Sequence, residues 1–172
     1  DDIYWARFDL PFRLNHINLY VLDAGDSWIL LDTGLNDAAT AAHWDMLLDG
    51  PLAGKPVSRV IVSHHHVDHI GYIGGLVTKT GATPFISRGE LAIASWLKNM
   101  DGDDFAARLG ERYFSFGMDE EAVAIGHKDR ERYRKNVTDF PDFTLLAQGD
   151  AITTTGGTFT VRIDAGHSPA QI

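Results

Sequence analysis

The part of the sequence best suited to chemistry is His64–His69, which reads HHHVDH and places four histidines and one aspartate within six positions. Imidazole and carboxylate groups together suit Zn²⁺ first, with Fe and Mn as alternatives. The stretch follows an apolar run at 60–62 that is typical of a buried strand, and such a strand directs the loop that leaves it. Because side chains alternate along an extended chain, His64 and His66 would share one side and His65 would point away. The sequence therefore predicts that one divalent cation binds between His64 and His66.

Asp68 and His69 come one turn later and offer an oxygen and a nitrogen ligand for a second ion. A purification tag and a solvated polar loop are simpler interpretations of so many histidines. The stretch is internal and is interrupted at Val67, unlike a tag. A solvated loop does not explain its place between an apolar strand and a glycine-containing helix. We therefore interpret the stretch as a metal site.

The composition excludes several classes of protein. The chain has 172 residues, of which 44% are hydrophobic and 23% charged, as expected of one globular domain over 1–172. Its net charge of −9 argues against nucleic-acid binding, and no apolar stretch approaches the roughly 20 residues that span a bilayer. Without cysteine, it has neither disulfides nor thiolate ligands nor a cysteine nucleophile. We expect a cytoplasmic protein that acts on a small molecule and binds neither nucleic acid nor membrane.

Strands and helices alternate along the chain, which predicts a layered α/β domain. The stretch 17–34 contains two apolar runs around a turn with Gly25, the pattern of a β-hairpin. An alanine-rich helix follows with Asn36 or Asp37 as its N-cap, and the helix after the metal stretch is expected to end at Gly81. The last part of the chain returns to strands with glycine turns.

The segment from Gly89 to Lys135 is rich in charge and alanine, and it predicts three helices inserted in the α/β domain. Such an insertion can form a wall of a substrate site, with these apolar side chains as lining: Trp96, Phe114, Phe116, Met118 and Tyr133. Its basic run can meet an anionic substrate: Arg130, Arg132, Arg134 and Lys135. The simpler interpretation, which we favour for any single residue, is that the aromatic side chains pack the helices on the sheet and the basic run is a solvated helix face.

Three stretches of the sequence together resemble the metallo-β-lactamase superfamily, a group of mostly binuclear metallohydrolases. HHHVDHIG at 64–71 resembles its metal loop, and DTG at 32–34 resembles the end of its opening hairpin. GHSP at 166–169 resembles the segment that carries a third ligand of the first metal. The resemblance covers nearly the whole chain except the insertion. It implies an αββα sandwich, in which two mixed sheets lie between layers of helices.

The resemblance also implies ligands for two metal ions, Zn²⁺ in the first place. The first ion would be bound by His64, His66 and His167, and the second by Asp68 and His69. The ions would lower the pKa of a bound water to about 7, and the resulting hydroxide would attack the substrate. Asp68 would orient this water and accept its proton.

Asp32 would orient one of the ligand histidines, as carboxylates next to metal ligands commonly do. The simpler alternative is that Asp32 only caps the turn at Thr33 and Gly34. The resemblance gives His65 no role.

The sequence departs from the superfamily pattern in one feature and resembles particular members in another. The superfamily places a bridging aspartate and a last histidine for the second metal after GHSP, whereas this sequence ends at Ile172. We therefore expect a shortened form of a longer enzyme, with a poorly held second ion and an open sheet edge that favours homo-oligomers. The lack of cysteine and the presence of His69 resemble hydroxyacylglutathione hydrolases, lactonases, ribonuclease Z and the rarer β-lactamases without the cysteine, rather than the commonest secreted β-lactamases. The acidic net charge counts against ribonuclease Z.

The leading hypothesis is a hydrolase that uses a metal-bound hydroxide on a small ester, thioester or lactone. Two alternatives stay open. One is a phosphodiesterase or nuclease on the same fold, and the other is a non-catalytic metal-binding module with a degenerate site.

Overall fold

The computed structural model of the protein describes residues 2–11 and 13–172. In this part of the chain, the elements follow in the order β1 (Ile3–Asp9), β2 (His16–Asp23), β3 (Trp28–Leu31), α1 (Ala38–Asp49), β4 (Val57–Ile61), α2 (Val67–Ile70), α3 (Ile73–Thr80), β5 (Thr83–Ser87), α4 (Arg88–Asn99), α5 (Gly102–Ser115), α6 (Glu120–Lys135), β6 (Thr144–Leu146), β7 (Ala151–Thr154) and β8 (Gly157–Thr160). None of the described helices is both long enough and apolar enough to cross a membrane.

A six-stranded mixed sheet forms the centre of the fold, in the order β1-β2-β3-β4-β5-β6. β1 to β3 are antiparallel neighbours, whereas β3 to β6 run parallel to one another. β7 and β8 form a separate two-stranded antiparallel sheet. Since β4 and β5 are parallel neighbours, their carboxyl ends meet at one edge of the sheet. The loop after β4 and the start of α4 after β5 are therefore brought together.

The large sheet has a core on each face, because neighbouring residues of a strand point to opposite faces. Leu30 and Val60 pack with helix residues such as Trp44 in the larger core. Their neighbours Ile29 and Ile61 pack with residues of the small sheet instead. Helices, large sheet and small sheet are therefore successive layers, which confirms the predicted mixed α/β fold.

Several local predictions are confirmed in the first half of the chain. β2 and β3 form the predicted hairpin and pair as far as Asp23 opposite Trp28. Asp37 caps α1 by accepting a hydrogen bond of 2.7 Å from Thr40 N. Gly81 ends α3 in the left-handed conformation, with a φ of 69°, which glycine adopts without steric cost. Turn and cap residues thus set these boundaries locally.

α4, α5 and α6 lie between β5 and β6, in the segment predicted as a helical insertion. α5 and α6 approach closely at Gly126, where an added Cβ would lie 2.7 Å from Leu109 Cδ2. Trp96 of α4 packs on Phe105 of α5, with 4.8 Å between ring centroids. Tyr133 of α6 belongs to the larger core. The three helices form one packed unit, and a cavity separates it from the loop after β4.

Candidate metal centre

The loop between β4 and α2 is fixed at both of its ends. Just after β4, Val62 N donates a hydrogen bond of 2.8 Å to Phe85 O, so the chain is still tied to the sheet. α2 begins directly after His66. His64 is 5% exposed, which shows that the loop carries this imidazole into the interior. The clustered histidines are therefore presented by a short, anchored segment.

His167 reaches this loop from the far end of the chain. Its ring centroid lies 4.9 Å from that of His64 and 4.7 Å from that of His66. Nε2 of His64 and Nδ1 of His66 lie 3.1 Å apart, and candidate ligand atoms of all three residues lie within 4.8 Å of one another. Nitrogen ligands at about 2.1 Å from a tetrahedral Zn²⁺ are themselves about 3.4 Å apart. His64, His66 and His167 can therefore hold a metal ion between them.

Two of these imidazoles are kept neutral by their surroundings. Burial, followed by repulsion from the neighbouring imidazoles, lowers the pKa of His64 from 6.5 to about 3. The same causes lower the pKa of His66 from 6.5 to about 4. At neutral pH both rings therefore offer a lone pair, which a metal ligand requires.

Asp32 controls which nitrogens of two histidines are protonated. Its Oδ1 accepts a hydrogen bond of 2.7 Å from Ser63 N, and its Oδ2 lies 2.8 Å from both Ser63 Oγ and His69 Nδ1. Because a carboxylate only accepts, both of these groups donate to it. Ser63 Oγ then accepts from His64 Nδ1 at 2.9 Å. His69 directly, and His64 through Ser63, are thus held with the Nε2 lone pair free for a metal.

The backbone and the charge of Asp32 fit this orienting role. Its φ is 65°, in the left-handed region that residues other than glycine seldom adopt. Burial lowers the pKa of His69, but the hydrogen bond to Asp32 and the negative charges of Asp32 and Asp68 together outweigh it, and the net shift is upward. Thr33 Oγ1 next to it donates a hydrogen bond of 2.8 Å to His69 O. Turn capping alone does not account for these contacts.

Asp68 and His69 lie side by side, with 3.7 Å between Asp68 Oδ2 and His69 Nε2. The rings of His64 and His69 are close, at 3.9 Å between centroids. In residues 2–11 and 13–172, the three-histidine group is the only set of three or more candidate ligands, and neither Asp68 nor His69 belongs to it. The binding of a second ion by Asp68 and His69 stays a prediction.

Glu90, in the first turn of α4, is a site residue to which the sequence motifs do not point. Its carboxylate is fully buried. Oε2 accepts hydrogen bonds from N and Nδ1 of His65 at 2.9 and 2.6 Å. Oε1 accepts from Ser168 Oγ at 2.5 Å and from Ala170 N at 2.8 Å. Glu90 therefore links the two stretches of chain that carry the candidate ligands.

These contacts give His65 a function that the resemblance does not. Burial opposes the ionisation of Glu90, but the hydrogen bonds from Ser168, His65 and Ala170 together outweigh it and lower the pKa of Glu90 from 4.5 to about 2. The one local signal was SRGE at 87–90, the pattern of a capping box. Ser87 Oγ does cap α4, accepting from Glu90 N at 3.2 Å. The carboxylate of Glu90, however, turns to the two ligand-bearing stretches.

Only part of the predicted apolar lining of the insertion contacts the cavity. Trp96 and Tyr133 line the cavity beside the metal loop, whereas the other predicted lining residues are exposed and do not line it: Phe114, Phe116 and Met118. A solvated helix face is the wrong interpretation for Arg130, which is 2% exposed. Its Nε donates a hydrogen bond of 3.2 Å to Leu97 O, and its guanidinium lies 4.8 Å from the ring centroid of Phe105.

Comparisons with known proteins agree with this geometry. A family model described as the metallo-beta-lactamase superfamily matches residues 13–172. No curated protein is significantly similar to the chain. Among solved structures, a beta-lactamase domain protein from Burkholderia ambifaria is 29% identical over 99% of this chain and 48% of its own, with a TM-score of 0.73.

Two further solved structures share the fold. A metallo-beta-lactamase family protein from Thermus thermophilus is 25% identical over 99% of this chain and 54% of its own, with a TM-score of 0.76. MEM-A1, a subclass B3 metallo-beta-lactamase from a soil metagenome library, is 17% identical over 99% of this chain and 52% of its own, with a TM-score of 0.58. The chain spans about half the length of these solved structures.

Proposed function

The chain belongs to the metallo-beta-lactamase superfamily, and we propose that it is a metal-dependent hydrolase of a small ester, thioester or lactone. The observation that carries the proposal is the convergence of His64, His66 and His167, whose candidate ligand atoms lie within 4.8 Å of one another. Three protein ligands leave one position of a tetrahedral zinc ion open, as in catalytic rather than structural zinc sites. We place the protein with the hydroxyacylglutathione hydrolases and lactonases of the superfamily, because it has no cysteine to serve at a second metal.

The donor set of three imidazoles fits Zn²⁺ best, and we propose a second ion at Asp68 and His69. When bound, Zn²⁺ supplies a Lewis acid for the scissile carbonyl and lowers the pKa of water to about 7. Asp32 holds His64 and His69 in the tautomer that leaves Nε2 free. Asp68 borders the cavity beside His66, so its carboxylate can accept the proton of the attacking water.

The size of that cavity supports a small substrate. Its volume is about 540 Å³, which lies within the range of about 300–1,000 Å³ typical of small-molecule sites. A nucleic acid would need a basic surface, whereas the net charge of the chain is −9. These two features favour ester, thioester or lactone hydrolysis over nuclease activity.

Initial rates on a panel of substrates test the proposal. Zinc-loaded protein is expected to hydrolyse a thioester, an aryl ester or a lactone faster than a bis-aryl phosphate. A chelator should abolish this activity and zinc should restore it. His64→Asn should also abolish it, whereas the control His127→Asn, outside the candidate ligands, should not.

Two outcomes of the same experiment would favour the alternatives. Fastest turnover of the bis-aryl phosphate would indicate a phosphodiesterase. Bound zinc without turnover of any substrate would indicate a non-catalytic metal-binding module.

A further inference from the structure

The cavity beside the metal loop has features that hydrolysis alone does not explain. His66 and Asp68 form one side of it, and residues of α4, α5 and α6 form the other. A substrate whose scissile bond lies at His66 therefore has the rest of its structure among the side chains of these helices. Those side chains decide which substrates fit.

The helical wall is mainly apolar. It includes Trp96, Phe105, Leu109 and Tyr133. Phe105 and Leu109 are buried, and the rings of Trp96 and Phe105 pack 4.8 Å apart. Such a wall binds aromatic or branched aliphatic groups, which gain from burial and from ring contacts.

One polar atom of the wall points to a ligand. Tyr133 is 7% exposed, and within residues 2–11 and 13–172 its hydroxyl has no hydrogen-bond partner. A buried hydroxyl without a partner is unfavourable. Burial also raises the pKa of Tyr133, so the hydroxyl stays protonated and able to donate. A bound molecule with an acceptor oxygen near this ring would satisfy it.

Three arginines border the same cavity and differ in how far their charge is already used. Arg130 is buried and donates to Leu97 O. Arg132 pairs with Asp129 at 3.2 Å. Arg112 is exposed, and its guanidinium lies 5.7 Å from the ring centroid of Phe116 without an ion pair to a carboxylate in the described part of the chain. Arg112 is therefore the guanidinium available to an anionic ligand.

We propose that this cavity binds the part of the substrate on one side of the scissile bond, and that this part is an aromatic or branched apolar group with a negative charge at its outer end. The apolar group lies among Trp96, Phe105 and Leu109, and its charge pairs with Arg112. The inference rests on the proposed function, because it takes the scissile bond to lie at the metal loop.

Binding of naphthalene-2-sulfonate, an aromatic anion, tests the site without turnover. Isothermal titration calorimetry on the zinc-loaded protein compares it with the uncharged naphthalen-2-ylmethanol. Arg112→Met is expected to weaken sulfonate binding about tenfold, the size of one charge-assisted hydrogen bond, and to change alcohol binding less than about twofold. Arg162→Met is the control, because Arg162 is exposed and lies outside the cavity lining. It should change neither affinity.

Equal losses in the two arginine variants, or equal losses for sulfonate and alcohol in Arg112→Met, would overturn the inference. A second measurement compares kcat/KM for S-methyl 3-phenylpropanethioate, S-(2-phenylethyl) ethanethioate and S-methyl ethanethioate. A preference of about tenfold for one of the two aryl substrates over S-methyl ethanethioate is expected from burial of its ring. Equal values would overturn the apolar part. Arg112-dependent sulfonate binding without hydrolysis of any thioester, ester or lactone would refute the proposed function while still supporting the cavity as a binding site.

Discussion

Glu90→Gln tests whether one carboxylate holds the two ligand-bearing stretches together. Oε2 of Glu90 accepts from two donors of His65, and Oε1 accepts from Ser168 and Ala170, all at 2.5–2.9 Å. A glutamine keeps one acceptor oxygen and replaces the other with an NH₂ group, which only donates. Whichever way the amide turns, the backbone N–H of either His65 or Ala170 loses its acceptor, and the side chain beside it can keep a hydrogen bond only by accepting from the NH₂ group.

The expected effect follows from this count. A hydrogen bond to a charged group contributes about 1.5–3 kcal/mol, so losing one and making the other without charge should lower the free energy of unfolding by about 2 kcal/mol or more. Domains are stable by about 5–15 kcal/mol, so the variant should still fold. Because the same hydrogen bonds place the candidate ligands relative to one another, zinc affinity should fall about 10- to 100-fold, as when groups that orient metal ligands are removed.

Urea unfolding at neutral pH measures the first effect, and zinc titration against a chelator of known affinity measures the second. Glu121→Gln is the matched control, since Glu121 is exposed in the first turn of α6. Altered d–d absorption bands in cobalt-loaded Glu90→Gln would report a changed ligand geometry, which lower stability alone would not produce. Stability within about 0.5 kcal/mol of the control, together with unchanged zinc affinity, would refute the reasoning.

Tyr133→Phe should raise the free energy of unfolding by about 1 kcal/mol in urea, because it removes a buried hydroxyl that has no partner in the described chain. A loss of stability would contradict this. Asn tolerates the left-handed backbone that Asp32 adopts, so Asp32→Asn removes the negative charge without adding backbone strain. It should lower the pKa of His69 in an NMR titration of the metal-free protein. An unchanged pKa would count against the role of Asp32. The pKa values of His64 and His66, about 3 and about 4 in the folded protein against 6.5 ordinarily, make the metal-free protein acid-sensitive. The unfolded chain takes up protons first, so stability present above pH 6.5 is lost as the pH falls through this range. Urea unfolding should give a lower free energy of unfolding at about pH 5 than at about pH 7.5. An equally large decrease in His64→Asn would show that His64 is not a cause of it.

The site could be predicted from sequence only where its parts are close along the chain. His64 and His66 were predicted from residue types within one loop. His167 came only from the resemblance, because its place depends on contacts between distant segments. One of these is the hydrogen bond of 2.9 Å from Ile172 N to Ser63 O. The spacing of residues along the sequence does not predict such a contact.

Sequence patterns did not predict which charged residues are buried. Glu90 stands in the first turn of a helix, where acidic residues are favourable even when exposed. Only its buried partners on two other segments distinguish it. Arg130 belongs to a basic run that is typical of a solvated face, yet the carbonyl of Leu97 and the ring of Phe105 enclose it. The hairpin and the capped helix α1 were predicted correctly because neighbouring residues determine them.

X-ray diffraction from zinc-loaded crystals at the zinc absorption edge would locate the ion itself. We expect an anomalous peak between His64, His66 and His167, with one nitrogen of each ring about 2.0–2.1 Å away. A peak elsewhere, or a peak bound by His64 and His66 with the ring of His167 turned away, would contradict the convergence on which the proposed function depends.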